Sequence, residues 1–382
     1  MSVDRGLLKI LWVPVFWVLL LEAPAGADAI GESAVDNDAV QISGAAGIYA
    51  KFNSNVDLVD EKETGKDQKD AFIAEPTANL RLEKTWGHDW WLDLNYTGHA
   101  NFHTEHRSED WFFNRTQLSL TRRSDSNAVN LSSEVRYLTV PDDDDFDFLR
   151  HTGILSYERT LSPLWQVQVG LENINTRYPQ SRWLDYSVNG GFVEIRTTWS
   201  FKLTTYYSVD LQYYEGTANT DEADPSQILE DGSRSTFRAG FDWLASPRHV
   251  LSGTLMQQRD NSDFDPRQIG EVEGHEDSQD IEAEFDLLKH KGTLLYTYRF
   301  NDRTSISLYE EIIHKSWEDE DDGGIIIPKR TDWLFLSSSF LKFKWKPNLN
   351  IKTRYLFRMN ASTSDVEDYF DHIIFIGPEY TF

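Results

Sequence analysis

His372-Ile-Ile-Phe-Ile-Gly-Pro-Glu-Tyr-Thr-Phe382 closes the chain. Counting back from the end, Phe382, Tyr380, Ile376 and Ile374 share one parity, so a period-2 strand carries an apolar face that finishes on a terminal aromatic.

Upstream, the same alternation recurs. Leu203, Thr205, Tyr207, Val209, Leu211 and Tyr213 fall on one face, with Thr204, Tyr206, Ser208, Asp210 and Gln212 on the other. Val129-Leu131-Val135-Tyr137, Val167-Val169-Leu171, Phe237-Ala239-Phe241-Trp243 and Ile351-Thr353-Tyr355-Phe357 read the same way. With its terminal Phe, this pattern resembles the C-terminal strand and body of a Gram-negative outer-membrane β-barrel of the porin kind. The resemblance implies that Tyr380 and Phe382 form the signal read by the barrel-insertion machinery.

The amino terminus fits export. Arg5 and Lys9 precede the apolar run Ile10–Leu21, and small residues follow to Ala27-Asp28-Ala29, so residues 1–29 read as a signal peptide. Residues 30–39 then form a short periplasmic segment, and 40–382 a single barrel domain. The chain has no Cys, which excludes disulfides and thiolate metal sites. Its mean hydropathy of −0.52 alone suggests a soluble protein. Barrel strands, however, are apolar only at every second position and average to a polar composition. The 13 Trp, 16 Tyr and 22 Phe suit interfacial girdles, and a net charge of −26 argues against nucleic acid as a partner.

Two kinds of connection alternate. Short turns fall at Thr85–Asp89, Arg123–Asn127, Leu161–Pro163, Trp199–Phe201, Ala245–Arg248, Phe300–Arg303 and Lys346–Asn350. Long polar loops lie around 53–70, 103–110, 141–147, 177–186, 216–232, 261–278, 317–331 and 361–370. The expected fold is therefore all-β: a transmembrane antiparallel up-and-down β-barrel of about 16 strands, with short periplasmic turns and long acidic extracellular loops. Ile281, Ala283, Phe285 and Leu287 differ in parity from Leu294, Tyr296, Tyr298 and Phe300, which predicts a bulge or kink near His290–Gly292. Trp86, Trp90, Trp165, Trp199, Trp243 and Trp345 sit beside short turns and Trp111, Trp183, Trp317 and Trp333 beside long loops, predicting two belts.

If the apolar faces meet lipid, the opposite faces line a lumen. The expected channel-lining residues are Glu134, Arg136, Glu194, Arg196, Asp210, Arg238, Asp242, Lys342, Lys344, Lys352, Arg354 and Arg358. Arg115, Arg150, Lys202, Asp93, Glu158, Glu172, Glu282, Glu284 and Asp286 belong to the same set. Walls of opposite sign would set a transverse field across a pore; equally, the charges could neutralise one another as cross-strand ladders. The inward aromatics Tyr206, Tyr214 and Phe340 could stack on sugars or simply fill the lumen.

The loops carry acidic clusters, including Asp142, Asp143, Asp144 and Asp145. Clustered carboxylates suit divalent cations, although a solvated, self-repelling loop face explains them as well. No G-x-S-x-G or H-E-x-x-H motif appears, so neither an enzyme nor a cofactor is expected.

These readings lead to an outer-membrane channel for diffusion of small hydrophilic solutes, cation-preferring through its acidic mouth. Two alternatives stand beside it: the barrel of an exopolysaccharide export system, which would need a separate periplasmic partner, and a closed surface barrel with ion-binding loops. The implied partners are outer-membrane lipid and lipopolysaccharide, the insertion machinery, and further copies of the chain.

Overall fold

The computed structural model describes residues 40–54, 71–104, 110–140, 147–179, 185–216, 232–262, 287–317, 320–322, 325–327, 331–363 and 369–382. In chain order the strands are β1 (Val40–Asn53), β2 (Ala71–Trp86), β3 (Trp90–His103), β4 (Trp111–Arg123), β5 (Asn127–Thr139) and β6 (Phe148–Ser162). They continue with β7 (Trp165–Arg177), β8 (Tyr186–Ser200), β9 (Leu203–Gly216), β10 (Gly232–Ser246), β11 (His249–Ser262) and β12 (Leu287–Arg299). The last are β13 (Thr304–Trp317), β14 (Glu320–Asp322), β15 (Ile325–Ile327), β16 (Thr331–Lys346), β17 (Leu349–Ser362) and β18 (Tyr369–Thr381).

Each barrel strand pairs antiparallel with its neighbour, β13 pairs directly with β16, and β18 returns to β1. The result is a closed sixteen-stranded barrel, with β14 and β15 forming a separate ribbon in the connection between β13 and β16. Closure satisfies every edge, which lipid demands because it offers the backbone no hydrogen-bond partner. All seven predicted short turns join consecutive barrel strands. In the β2–β3 turn, Gly87 takes φ 58°, a left-handed conformation that a residue without Cβ adopts freely. Register shifts next to four turns, at Leu244/Ser246, Lys344/Lys346, Thr160/Ser162 and Thr198/Ser200, absorb the extra residue each needs.

The terminal strand seals the barrel. Gly44 and Phe382 exchange backbone hydrogen bonds at 2.9 and 3.0 Å. A Cβ on Gly44 would lie 2.6 Å from the Phe382 ring and 2.7 Å from the Asn79 carbonyl oxygen, so only glycine lets the ring lie flat on β1. Tyr380 stacks beside Phe382, with ring centroids 6.5 Å apart.

The pairing registers assign every side chain to the outer or inner wall. Ile42, Leu131, Leu171, Leu211 and Leu255 lie outward with 56–69% of their surface exposed, and Ile374 and Ile376 project from β18 on the same wall. An apolar side chain gains about 1.5–3 kcal/mol on leaving water, so a continuous exposed band is tolerable only in lipid. Trp86, Trp90, Trp165, Trp199, Trp243 and Trp345, all exposed, ring the short-turn end. At the other end Trp333 is 45% exposed on the outer wall.

Two expectations need correction. Trp111 does not belong to the outer belt: it sits on the inner wall, 3% exposed, its ring edge-on to His99 at 5.0 Å. Packing against an inward aromatic group, and not the lipid interface, decides its position. Trp183 lies outside the described residues. Nor is there a bulge near His290–Gly292, because β12 pairs continuously with both β11 and β13 through those residues. The parity change arises because Leu287 turns inward and is buried, while Leu294, Tyr296 and Tyr298 lie outward. Ile281, Ala283 and Phe285 fall outside the described residues.

Candidate functional site: the inner wall

The same registers place Glu134, Arg136, Glu194, Arg196, Asp210, Arg238, Asp242, Lys342, Lys344, Lys352, Arg354 and Arg358 on the face opposite the exposed apolar residues. Asp93, Arg115, Arg150, Glu158 and Glu172 share that face. Lys202 does not: it lies in the exposed turn between β8 and β9, where the chain has left the sheet. Glu282, Glu284 and Asp286 lie outside the described residues, as do Asp142, Asp143, Asp144 and Asp145.

Most inner charges meet a neighbour of opposite sign. Arg115 and Arg136 converge on Glu134 at 2.6 and 2.5 Å. Arg196 reaches Glu194 at 2.8 Å, Arg238 pairs with Asp210, and Arg81 bridges Asp93 and Glu83 at 2.5 and 2.9 Å. Ser252 donates to Asp242 at 2.7 Å, and Gln212 to Glu172 at 2.9 Å. The neutralised ladder is thus the dominant arrangement over β2–β10. The arginines of these pairs are half-exposed: the side chains of Arg81, Arg115, Arg196 and Arg238 retain 42–48% of their surface, and their carboxylate partners 11–24%. Each is therefore worth only about 0.2–1 kcal/mol, and their more telling feature is that charged heads in the barrel interior remain open to water.

Toward the long-loop end the inner wall changes character. Over β4–β9 and the adjoining residues, Trp111, Phe113, Leu138, Phe148, Tyr178 and Tyr214 pack into an apolar cluster. Beyond the end of β7, burial pushes the Tyr178 phenol above its ordinary range, and nearby Tyr186 adds to the shift. Tyr214, 2% exposed, donates to Asp260, which also receives Arg234 at 2.8 Å. Tyr206 shares a hydrogen bond with Thr254 at 2.6 Å. Tyr214 therefore fills the wall and offers no free face to a sugar.

Around the seam, Arg358 donates to Asp371 at 2.6 Å with side chains 7% and 0% exposed, and Ser54 of the β1 end donates to the same carboxylate at 3.3 Å. On β13 and its neighbours, Lys291 meets Glu311 at 2.8 Å. Lower on the seam, Lys352 pairs with Glu379, which also accepts from Tyr49 at 3.3 Å.

Several of these charges were not singled out in the sequence, among them Arg81, Arg234, Lys291, Glu311, Asp371 and Glu379. The signal was parity. Arg81 alternates with Leu80 and Leu82, and Asp371 and Glu379 with the apolar residues that define the last strand. Arg234 stands at a strand end next to a long loop, where alternation is weakest.

No protein-family model matches the chain, and no curated protein matches it. Among solved structures, it is similar to the outer membrane channel DcaP of Acinetobacter baumannii, with a TM-score of 0.50 and 12% identity over 92% of this chain and 99% of that one. It is also similar to OccK9 (OpdG) of Pseudomonas aeruginosa, at 0.50 and 11% over 90% and 99%. An anion-selective porin from Comamonas acidovorans superposes at 0.49 and 11% over 90% and 100%. At these identities the likeness is one of fold. The fold of the chain, a closed sixteen-stranded antiparallel barrel, is thus porin-like.

Proposed function

We propose that the protein is an outer-membrane channel through which small hydrophilic solutes diffuse. One observation carries the reading: the inner-wall arginines Arg81, Arg115, Arg196 and Arg238, on β2, β4, β8 and β10, keep nearly half of their side-chain surface open to water. Charged groups facing a dry interior would be strongly destabilising, and a barrel of this strand number is wide enough to hold an aqueous path.

The apolar outer band and aromatic ring give the barrel its place in lipid. Its partners there are outer-membrane lipid and lipopolysaccharide, with Tyr380 and Phe382 serving as the insertion signal. Cation preference follows from charge distribution. The inner-wall pairs largely cancel, whereas the long loops hold the acidic runs Asp142–Asp145 and Glu318–Asp322 and most of the negative charge of a chain at −26. An acidic mouth concentrates cations over about a Debye length, about 10 Å in 0.1 M salt.

Reconstitution into planar bilayers tests the reading. Stable conductance steps, with a reversal potential in a KCl gradient that favours K⁺, are expected. A folded, inserted barrel that stays silent across the accessible voltages would overturn it.

A further inference from the structure

A row of nitrogen-bearing side chains crosses the outer wall near its long-loop rim. His290 stands directly opposite His314 in the β12–β13 register, and the row continues to Gln257 on β11 and Trp333 on β16. His290 has the outward parity of Leu294, Tyr296 and Tyr298, and both it and Gln257 are exposed. The two imidazole rings lie 6.1 Å apart between centres with their planes inclined by 22°, and the Trp333 indole lies 4.4 Å from the His314 ring. His290 is the fourth residue of β12 and His314 the fourth from the end of β13, so the pair sits at the edge of the wall, where water reaches it.

Neither lipid nor the sheet accounts for two histidines in this place. The lipid face of a barrel favours apolar groups, and on β17 and β18 the corresponding rim carries Phe357 and Phe370. Two imidazoles directly opposite one another repel once both are protonated, whereas as neutral rings they can share a cation. The spacing suits this second use. An ion bound to one nitrogen of each ring at about 2.0–2.1 Å holds the ring centres about 5–6 Å apart, within reach of a small turn of either soft terminal torsion. Next to His290 on the same face, Gly292 leaves the wall open: a Cβ there would meet only Leu255, at 3.6 Å. Glycine inside a strand marks a place where another group can approach closely.

We propose that His290 and His314 form a binding site for a first-row transition-metal cation, Cu²⁺ or Zn²⁺, on the outer wall of the barrel. Paired neutral imidazoles select such ions over Ca²⁺ and Mg²⁺, which take hard oxygen ligands. No group of three His, Asp or Glu among the described residues is placed to share an ion, so the pair supplies two ligands and water takes the remaining positions, with the notch over Gly292 as room for it. An ion held by two side chains and water exchanges readily, and it clamps β12 to β13 while bound. The site lies outside the lumen and stands whether or not the barrel conducts.

The test titrates untagged, detergent-folded protein with Cu²⁺ and separately with Zn²⁺, in excess Ca²⁺ to occupy the loop carboxylates. Binding of Cu²⁺ in the micromolar range is expected, with an electron paramagnetic resonance spectrum that shows coupling to two imidazole nitrogens. Part of the tryptophan fluorescence should be quenched with the same midpoint, and Trp333→Phe should remove that part. Zn²⁺ should displace the Cu²⁺ and raise the temperature of gel-mobility change. His290→Gln/His314→Gln should weaken Cu²⁺ binding about tenfold or more and abolish the Zn²⁺ shift. His372→Gln should change neither, although it too removes an outer-wall histidine, one whose Nδ1 meets the Tyr355 hydroxyl at 2.8 Å. Unchanged affinity in the folded double variant, oxygen-only coordination, or no Cu²⁺ binding by the wild type overturns the site. If the double variant does not fold, the wild type and Trp333→Phe decide: two-nitrogen coupling together with Trp333-dependent quenching supports the site, and the absence of either overturns it.

Discussion

Removing the Arg358 side chain, as in Arg358→Ala, strands Asp371, whose carboxylate is 0% exposed and receives Arg358 through both Nε and an Nη, at 3.2 and 2.6 Å. The remaining donor named above, the Ser54 hydroxyl at 3.3 Å, is neutral and long, so it does not replace a guanidinium. Breaking a buried pair on one side leaves an uncompensated charge and costs about 3–5 kcal/mol, whereas replacing both partners with apolar groups of similar volume is close to neutral. Arg358→Ala is therefore expected to lose about 3–5 kcal/mol, and Arg358→Met/Asp371→Leu less than about 1 kcal/mol. The loss has a structural address: Asp371 links β17 through β18 to the end of β1, the one join in the barrel between strands remote in sequence. Urea unfolding of the protein folded into lipid vesicles, followed by Trp fluorescence, reads both values as shifts in midpoint at constant slope. A loss below about 1 kcal/mol for Arg358→Ala, or a double variant as unstable as the single, would refute the view that pairing within a water-excluded seam holds Asp371.

At the closure, Gly44→Val places methyl groups against the Phe382 ring and the Asn79 carbonyl and should cost about 1–3 kcal/mol, read as a lower temperature of gel-mobility change; Phe382→Ala on that background should recover part of it. Glu310 projects from the outer wall between Leu308 and Ile312 and accepts only from Ser337, at 3.0 Å, among the described residues. Glu310→Leu should therefore stabilise the vesicle-folded barrel by about 1–2 kcal/mol, and a loss of stability would mean that something other than lipid covers this wall. Quenching by brominated lipid should fall when Trp333 is replaced by Phe and stay unchanged for Trp111→Phe, since only the former lies on the outer wall.

The strand order was legible because three independent signals coincide: period-2 alternation, seven turn sequences, and a terminal aromatic on the apolar parity. Where one signal stood alone, the reading erred. The tryptophan at position 111 was placed by its distance from a loop, yet parity already put it with Phe113 and Arg115, on the inner side. The supposed kink in β12 came from counting Leu287, with Ile281, Ala283 and Phe285, as one lipid-facing run; an apolar residue near the long-loop end of a strand can equally be buried on the inner wall. Inner charges on well-alternating strands, such as Arg354 and Asp210, could be named in advance. Their partners could not, because Asp210 meets Arg238 and Lys352 meets Glu379 through registers that sequence does not print.

The most direct test of a water-filled lumen uses the absence of cysteine from the chain. Ile195 and Arg196 are neighbours on β8, the first on the exposed apolar wall and the second among the water-exposed inner cations. Cysteine is introduced at each position separately, and channels in a planar bilayer are exposed to a charged, membrane-impermeant thiol reagent. The account predicts rapid reaction and a stepwise change in conductance for Arg196→Cys and no change for Ile195→Cys. Reaction at Ile195→Cys, or a folded Arg196→Cys barrel that neither conducts nor reacts, would contradict it.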